Sequence, residues 1–217
     1  RVSGNEVRAR VIGEGANLGV TQAGRIEFAL VGNEGRGGRN NTDFIDNSAG
    51  VDCSDNEVNI KIALEAAKRA GQLSEPKRVE LLEAMTEEVA ALVLEDNRLQ
   101  ALALSIAEHG GPRAVGAQLR LIEKLEESGD LDRQIEGLAT ADVFARRAAD
   151  GQGLTRPELA VLLSSSKLVL QAAIEASDIA ADEAAEPLLL GDFPEAMQES
   201  FRKRILSHRL RNEIVAT

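Results

Sequence analysis

A single cysteine, Cys53, leaves no partner for an intramolecular disulfide, so a reducing compartment is the simplest setting and a cytoplasmic location is expected. Tryptophan and tyrosine are absent and aromatic residues make up 2% of the chain, which removes most of the stacking surface that single-strand nucleic-acid binders use. The two histidines, His109 and His208, lie far apart with no H-E-x-x-H or C-x-x-C nearby, so no metal site is supported. Long apolar runs are missing as well. The longest, such as Ala160 to Leu163, fall far short of a bilayer span, and a soluble protein without membrane contact is expected. The first residues, RVSGNEVRARV, carry neither the apolar core of a secretion signal nor the pattern of a transit peptide, and are expected to be a chain entered midway. Basic charge is in deficit: 25 Lys and Arg stand against 36 Asp and Glu, a formal net charge of -11 whose average field repels nucleic acid.

What is present divides into two grammars. From Val7 to Asn56 the chain is rich in Gly and Asn. Val7 to Ile12 alternates and Ile26 to Val31 is nearly all apolar, so both are predicted as short strands flanking the turn-rich GEGANLGVTQAGR. Asn33 to Asn41 is predicted as a flexible surface loop. From Glu57 onward the period is helical. Val58, Ile62 and Ala66 form an i, i+4 stripe widened by Ile60, Leu64 and Ala67, and Gly71 ends the run. Further helices are predicted at Lys77 to Leu94, Leu99 to Ala107, Pro112 to Gly129, Asp132 to Ala149, Arg156 to Ala176 and Pro194 to Val215. Thr155 with Glu158 makes a capping box, and Phe193 precedes the last helix as a hydrophobic staple.

Few residues stand out for chemistry. Cys53 is expected to be a buried or half-buried small apolar side chain, and Glu87, Glu88 and Glu123 to lie on solvated helix faces. Arg202, Lys203, Arg204, Arg209 and Arg211 form the best anion-binding cluster by composition, although basic residues late in a helix also suit its dipole. Glu14 to Asn17 follow a predicted strand, where parallel sheets meet ligands, but they lack G-x-G-x-x-G spacing. Ser54 and Glu57 form an S-x-x-E box that admits two readings. The serine caps a helix, or the same helix start offers its N–H groups to a carboxylate ligand.

GEGANLGVTQAGRIEFAL (Gly13 to Leu30), NTDFIDNSAGVDCSDNEVNIKI (Asn41 to Ile62), GQGLTRPELAVLL (Gly151 to Leu163) and HRLRNEIVAT (His208 to Thr217) resemble the large bacterial NAD-dependent glutamate dehydrogenases. The resemblance implies a C-terminal fragment that is mainly α. A partial α/β edge of a Rossmann-like nucleotide-binding domain, residues 1–60, would be followed by a helical C-terminal domain, residues 61–217. It further implies NAD contacts at Gly15, Ala16, Asn17 and Asn47, and a substrate carboxylate at Ser54. Asn47, Ser48, Ala49, Gly50, Val51, Ser54 and Glu57 match the pattern N-x-G-G-V-x-x-S-x-x-E, with Ala49 in place of a glycine.

The family's chemistry, by the same resemblance, takes L-glutamate, NAD+ and water to 2-oxoglutarate, ammonia and NADH. Neither the catalytic lysine motif nor the catalytic aspartate motif is recognisable, so no catalytic residue is assigned and the isolated chain is expected to be inactive. The implied partners are glutamate or 2-oxoglutarate, ammonium, an upstream catalytic and NAD-binding domain, and further copies in a homo-oligomer. The alternative reading is a helical assembly or regulatory domain with no direct catalytic role.

Overall fold

The computed structural model describes residues 2–16 and 18–217. Among them twelve α-helices follow one another and no β-strand forms. The expected Rossmann-like α/β edge is therefore corrected. Ile26 to Val31 lie inside α1 (Gln22–Gly35), where the Thr21 side chain accepts the Gly24 N–H at 3.2 Å and caps the helix start. A short apolar run serves a buried helix turn as well as a strand, and here the cap decides. Val7 to Ile12 forms no strand; its Val7 carbonyl accepts the Asn33 N–H at 2.8 Å, and it carries an isolated parallel bridge, Val11 with Arg39. It makes two backbone bonds there, Ile12 N–H to the Arg39 carbonyl at 2.9 Å and Arg39 N–H to the Arg10 carbonyl at 2.8 Å.

The chain divides into two compact units, Arg1–Ser48 with Asn97–Leu168, and Ala49–Asp96 with Val169–Thr217. The first holds α1, α2 (Asp43–Asp46), α6 (Gly111–Ser128) and α7 (Ala141–Ala149), with the second half of α5 (Thr86–His109) and most of α8 (Arg156–Glu175). Its core joins Ile45, Leu104, Val115, Ile122, Leu125, Phe144 and the α8 residues Leu159 to Leu162. Gly129 stops α6 in the left-handed conformation, φ 80°, which lets Asp130 N–H close on the Leu125 carbonyl at 2.8 Å. Ahead of α8 the capping pair is present with an addition. The Glu158 carboxylate accepts the Thr155 N–H and hydroxyl, both at 2.7 Å, and also Arg147 Nη1 at 2.9 Å. This acid is fully buried, and its charge is tolerated because each oxygen has a partner. By length and composition α8 is the one described helix apolar enough to cross a bilayer, and its first half is core in this fold.

In the segment expected to be a flexible surface loop Glu34, Gly35, Arg36 and Arg39 are exposed, while Gly38 and Asn40 pack inward. Phe28 is 1% exposed, and a β-carbon placed on Gly38 or Gly32 would lie 2.0 or 2.3 Å from its ring. Gly38 N–H bonds the Phe28 carbonyl at 2.8 Å, and Asn40 and Thr42 are buried.

In the second unit α3 (Ser48–Arg69) turns Ile60, Ala63, Leu64 and Ala67 onto Leu189, Phe193, Met197, Ile205 and Ile214. Of the two predicted stripes, the one through Ile60, Leu64 and Ala67 is buried, while Val58 and Ala66 are exposed. Cys53, expected to be at least half-buried, is exposed on the same helix. The single C-terminal helix expected from Pro194 to Val215 is three short ones, α10 (Glu195–Gln198), α11 (Arg202–Leu206) and α12 (Arg211–Ala216). His208 makes the last break. Its Nδ1 accepts the Leu210 N–H and its Nε2 faces the Asn59 carbonyl, both at 3.1 Å, which fixes the neutral tautomer with the proton on Nε2. Burial pushes its pKa down, and the Arg209 charge adds to that against the Asn59 carbonyl and Glu213.

Asp192 follows α9 (Glu186–Gly191) and is pushed up to about 7 by burial and by Asp52, Asp96 and Asp55, against a hydrogen bond from Asn59. Asp52 is pushed up to about 6, by burial first and then by Asp96 and Asp55, with the Asn56 amide opposing. Carboxyls raised in the folded state bind protons that the unfolded chain has released, so their ionisation destabilises the fold as pH rises from about 4 towards 7. Asp192→Asn is expected to raise the melting temperature by a few degrees at pH 8. The gain should shrink as pH is lowered below 6, and a pH-independent change would remove the carboxyl cluster as its cause.

Candidate functional site

In the first unit one cation holds the segment around Glu14 to α2. Arg25, on the first turn of α1, reaches Glu14 with Nε at 2.6 Å and Nη2 at 2.7 Å, and Asp43 with Nη2 at 2.9 Å. Arg25 and Glu14 are 3% and 5% exposed, so this is a buried fork-to-fork pair. The Glu14 hydrogen bond, outweighing burial, with the charges of Glu14 and Asp43, holds the guanidinium pKa above its ordinary value. Burial alone would raise the Asp43 carboxyl. The Leu18 N–H at 2.8 Å, the Arg25 charge and the Phe44 N–H at 3.1 Å together outweigh it and hold Asp43 below the usual carboxylate range.

A second aspartate repeats the lacing. Asp46 accepts the Glu14 N–H at 3.0 Å and the Asn41 amide at 2.7 Å. Asn41 in turn accepts Arg156 Nε at 2.8 Å, and Arg156 donates to Ser105 at 3.1 Å and Glu108 at 3.0 Å. The turn is thus pinned at Glu14 and Leu18 to α2, whose last residue leads directly into Asn47.

The predicted site residues fall into three groups. Gly15 and Ala16 are exposed at the tip of the pinned turn, and a β-carbon on Gly15 would meet no heavy atom within 4 Å. Asn17 lies outside the described residues. Asn47 is the half-buried C-cap of α2, with its N–H on the Asp43 carbonyl at 2.8 Å. The next residue, Ser48, accepts the Asn97 amide at 2.9 Å, and the same amide bonds the Ile45 carbonyl at 2.8 Å, fixing the α2–α3 junction.

Ser54 is different. It belongs to the second unit and stands inside α3, which starts at Ser48, so it caps nothing. Its hydroxyl donates to the Gly50 carbonyl at 3.2 Å, a back-bond typical of serine within a helix, and the side chain is exposed. Glu57 pairs with Lys61 one turn on instead of reaching back to Ser54. Both readings that place a helix start at Ser54 are removed, the cap and the free N–H groups, because α3 begins earlier, at Ser48.

Sequence reasoning missed Arg25, Asp43 and Asp46. A signal existed in Arg25, a lone cation leading an apolar run, since such a charge needs a buried partner as soon as the run packs.

Two family descriptions match the chain. Residues 1–107 match "Bacterial NAD-glutamate dehydrogenase, catalytic domain" and residues 151–217 match "Glutamate dehydrogenase, C-terminal". Over all 217 residues the chain is 46% identical to the NAD-specific glutamate dehydrogenase of Pseudomonas aeruginosa. It is 44% identical to those of Halomonas elongata and Mycobacterium tuberculosis. In each case it covers 13% of the relative's length.

Removing one member of a buried ion pair leaves the other charged and unpaired, which costs about 3–5 kcal/mol. Arg25→Met is therefore expected to lose that much stability in chemical denaturation. The double variant Glu14→Gln, Arg25→Met should lose clearly less than the sum of the two single changes. Strictly additive losses would show that the pair is not coupled.

Proposed function

Since the chain belongs to the large bacterial NAD-dependent glutamate dehydrogenases, we propose that its pinned turn and α2–α3 junction form part of the nicotinamide side of that enzyme's active site. The observation that carries this reading is the lacing of Glu14 and Leu18 to Asp46 and Asp43, which sets the tip Gly15–Ala16 and the amide of Asn47 on one framework. The space at Gly15 fits a ligand that must approach the backbone closely, as a dinucleotide does. When bound, NAD+ accepts the hydride from the α-carbon of L-glutamate, and addition of water then releases ammonia and 2-oxoglutarate. Gly15 and Ala16 contact the cofactor through the main chain, and Asn47 orients the nicotinamide by its side-chain amide. The buried Arg25 network keeps these groups from shifting as charge changes nearby.

Ser54 is proposed to hold a substrate carboxylate. Its hydroxyl spends its proton on Gly50, so a ligand hydrogen bond here requires that proton to be redirected. The acid/base groups for proton transfer and the cationic groups for the two substrate carboxylates are supplied by other parts of a longer polypeptide. This is supported by the 13% of the relatives' length that the chain covers. The isolated chain is accordingly inactive. Residues 151–217 match a region described as C-terminal, and the second reading gives the helices there an assembly or regulatory role.

In the full-length enzyme Asn47→Ala is expected to lower kcat/KM by about tenfold, the equivalent of one lost hydrogen bond near the reacting atoms. Steady-state kinetics checks this, and unchanged constants would remove Asn47 from the site. Ser54→Ala should raise KM for glutamate without any loss of melting temperature, because alanine is the better helix former at a mid-helix position. A normal KM would leave the hydroxyl with its helical back-bond alone.

A further inference from the structure

The basic cluster Arg202 to Arg211 is sorted by the fold into two kinds of residue. Arg202 pairs with Glu186 at 2.9 Å, and Arg211 is spent on the carbonyls of Ala180 and Leu206. Arg204 and Arg209 instead line a cleft of about 790 Å³ in the second unit, where Lys61 and Arg69 of α3 and Arg78 of α4 (Glu75–Ala84) also converge. Residues distant in sequence thus place five cations around one opening, on a chain whose net charge is -11. Glu65 is the one carboxylate in the lining.

Of the five cations, Arg204 and Arg209 have no carboxylate partner among the described residues, while Arg78 pairs with Glu75 at 3.1 Å. Arg204 donates Nε to Gln72 Oε1 at 2.9 Å, a neutral partner, and Arg209 is exposed and pairs with no carboxylate among the described residues. Its charge nevertheless reaches the ring of His208, which lines the same cleft. Lys61 and Arg69 pair with Glu57 and Glu65 one turn away on the helix surface, contacts whose side chains are half or more exposed on the basic side. Such pairs contribute little and rearrange readily. Ile62 and Ala66 of α3 and Ala70 just beyond its end also line the cleft, and the two alanines leave room between the cations. The volume lies within the ordinary range for small-molecule sites of about 300–1,000 Å³.

We propose that this cleft binds a small organic or inorganic polyanion bearing at least two phosphate or carboxylate groups. Arg204 and Arg209 from the C-terminal segment and Arg69 and Arg78 from α3 and α4 engage its charged groups. The fork geometry of guanidinium suits both group types. The neutral, doubly bonded imidazole of His208 positions the turn that carries Arg209 and contributes no charge.

The test measures melting temperature and binding heat of the 217-residue chain with inorganic pyrophosphate and, separately, with propane-1,2,3-tricarboxylate, against sodium chloride at matched ionic strength. At least one polyanion is expected to raise the melting temperature and bind with one-to-one stoichiometry, and the stronger arm identifies the preferred acid group. Arg209→Gln, at an exposed position, should leave the unliganded melting temperature unchanged and weaken binding by about tenfold, the loss of one charge-assisted contact. Arg202→Gln with Lys203→Gln removes charge on the same helix outside the cleft and should leave binding within about twofold. Failure of both polyanions to exceed the chloride control would overturn the proposal. So would equal weakening by the two sets of variants, which would reduce the effect to general charge.

Discussion

The Arg25 guanidinium is the point on which the first unit depends. Glu14 and Asp43 stand in separate segments, and each would resist burial alone, because a carboxylate out of water costs several kcal/mol without a partner. One cation with a planar set of donors satisfies both at once. The glycine-rich turn therefore has a fixed shape despite its composition. Its main-chain donors at Glu14 and Leu18 are aimed at Asp46 and Asp43, and the same network holds Asp43 below the usual carboxylate range. The arrangement binds loop, helix start and helix junction without any sheet.

The second unit solves a different problem. Its helices are short after Glu186, and none is long enough to be stable on propensity alone. They persist because Leu189, Phe193, Met197, Ile205 and Ile214 are buried against the inner stripe of α3. Two polar devices sit at the margin of that core: the raised carboxyls at Asp52 and Asp192, and the neutral imidazole of His208. The first resists ionisation and the second resists protonation, so the unit tolerates charge poorly in both directions.

Helix existence was legible where glycine and proline punctuate apolar periodicity. Gly71, Gly129 and the start of α8 fall where the pattern puts them, since left-handed stops and capping pairs are local devices. Strand against helix at Ile26 to Val31 was not legible from periodicity, because a run of five apolar residues around Glu27 suits either and the deciding contacts come from Thr21 and the rest of α1. The break between α11 and α12 was hidden for a similar reason. The bonds that make it, from His208 to Leu210 and Asn59, engage a ring that sequence alone leaves unassigned. Ser54 shows the opposite error. A capping signature matched in full, yet α3 had already begun at Ser48, where the Asn97 amide secures the junction from a distant part of the chain. For the candidate site, the attachment of the Glu14 segment to α2 was not legible, because it runs through Arg25, Asp43 and Asp46, whose partners are far apart in sequence.

The packing of Phe28 between Gly32 and Gly38 gives the composition of that segment another meaning. These glycines are the mould of an aromatic ring. A six-membered ring at 28 and a hydrogen atom at 32 and 38 are one volumetric choice made at three positions. Substitutions there are coupled: a methyl group at either glycine is admissible only where the side chain at 28 has given up the same space.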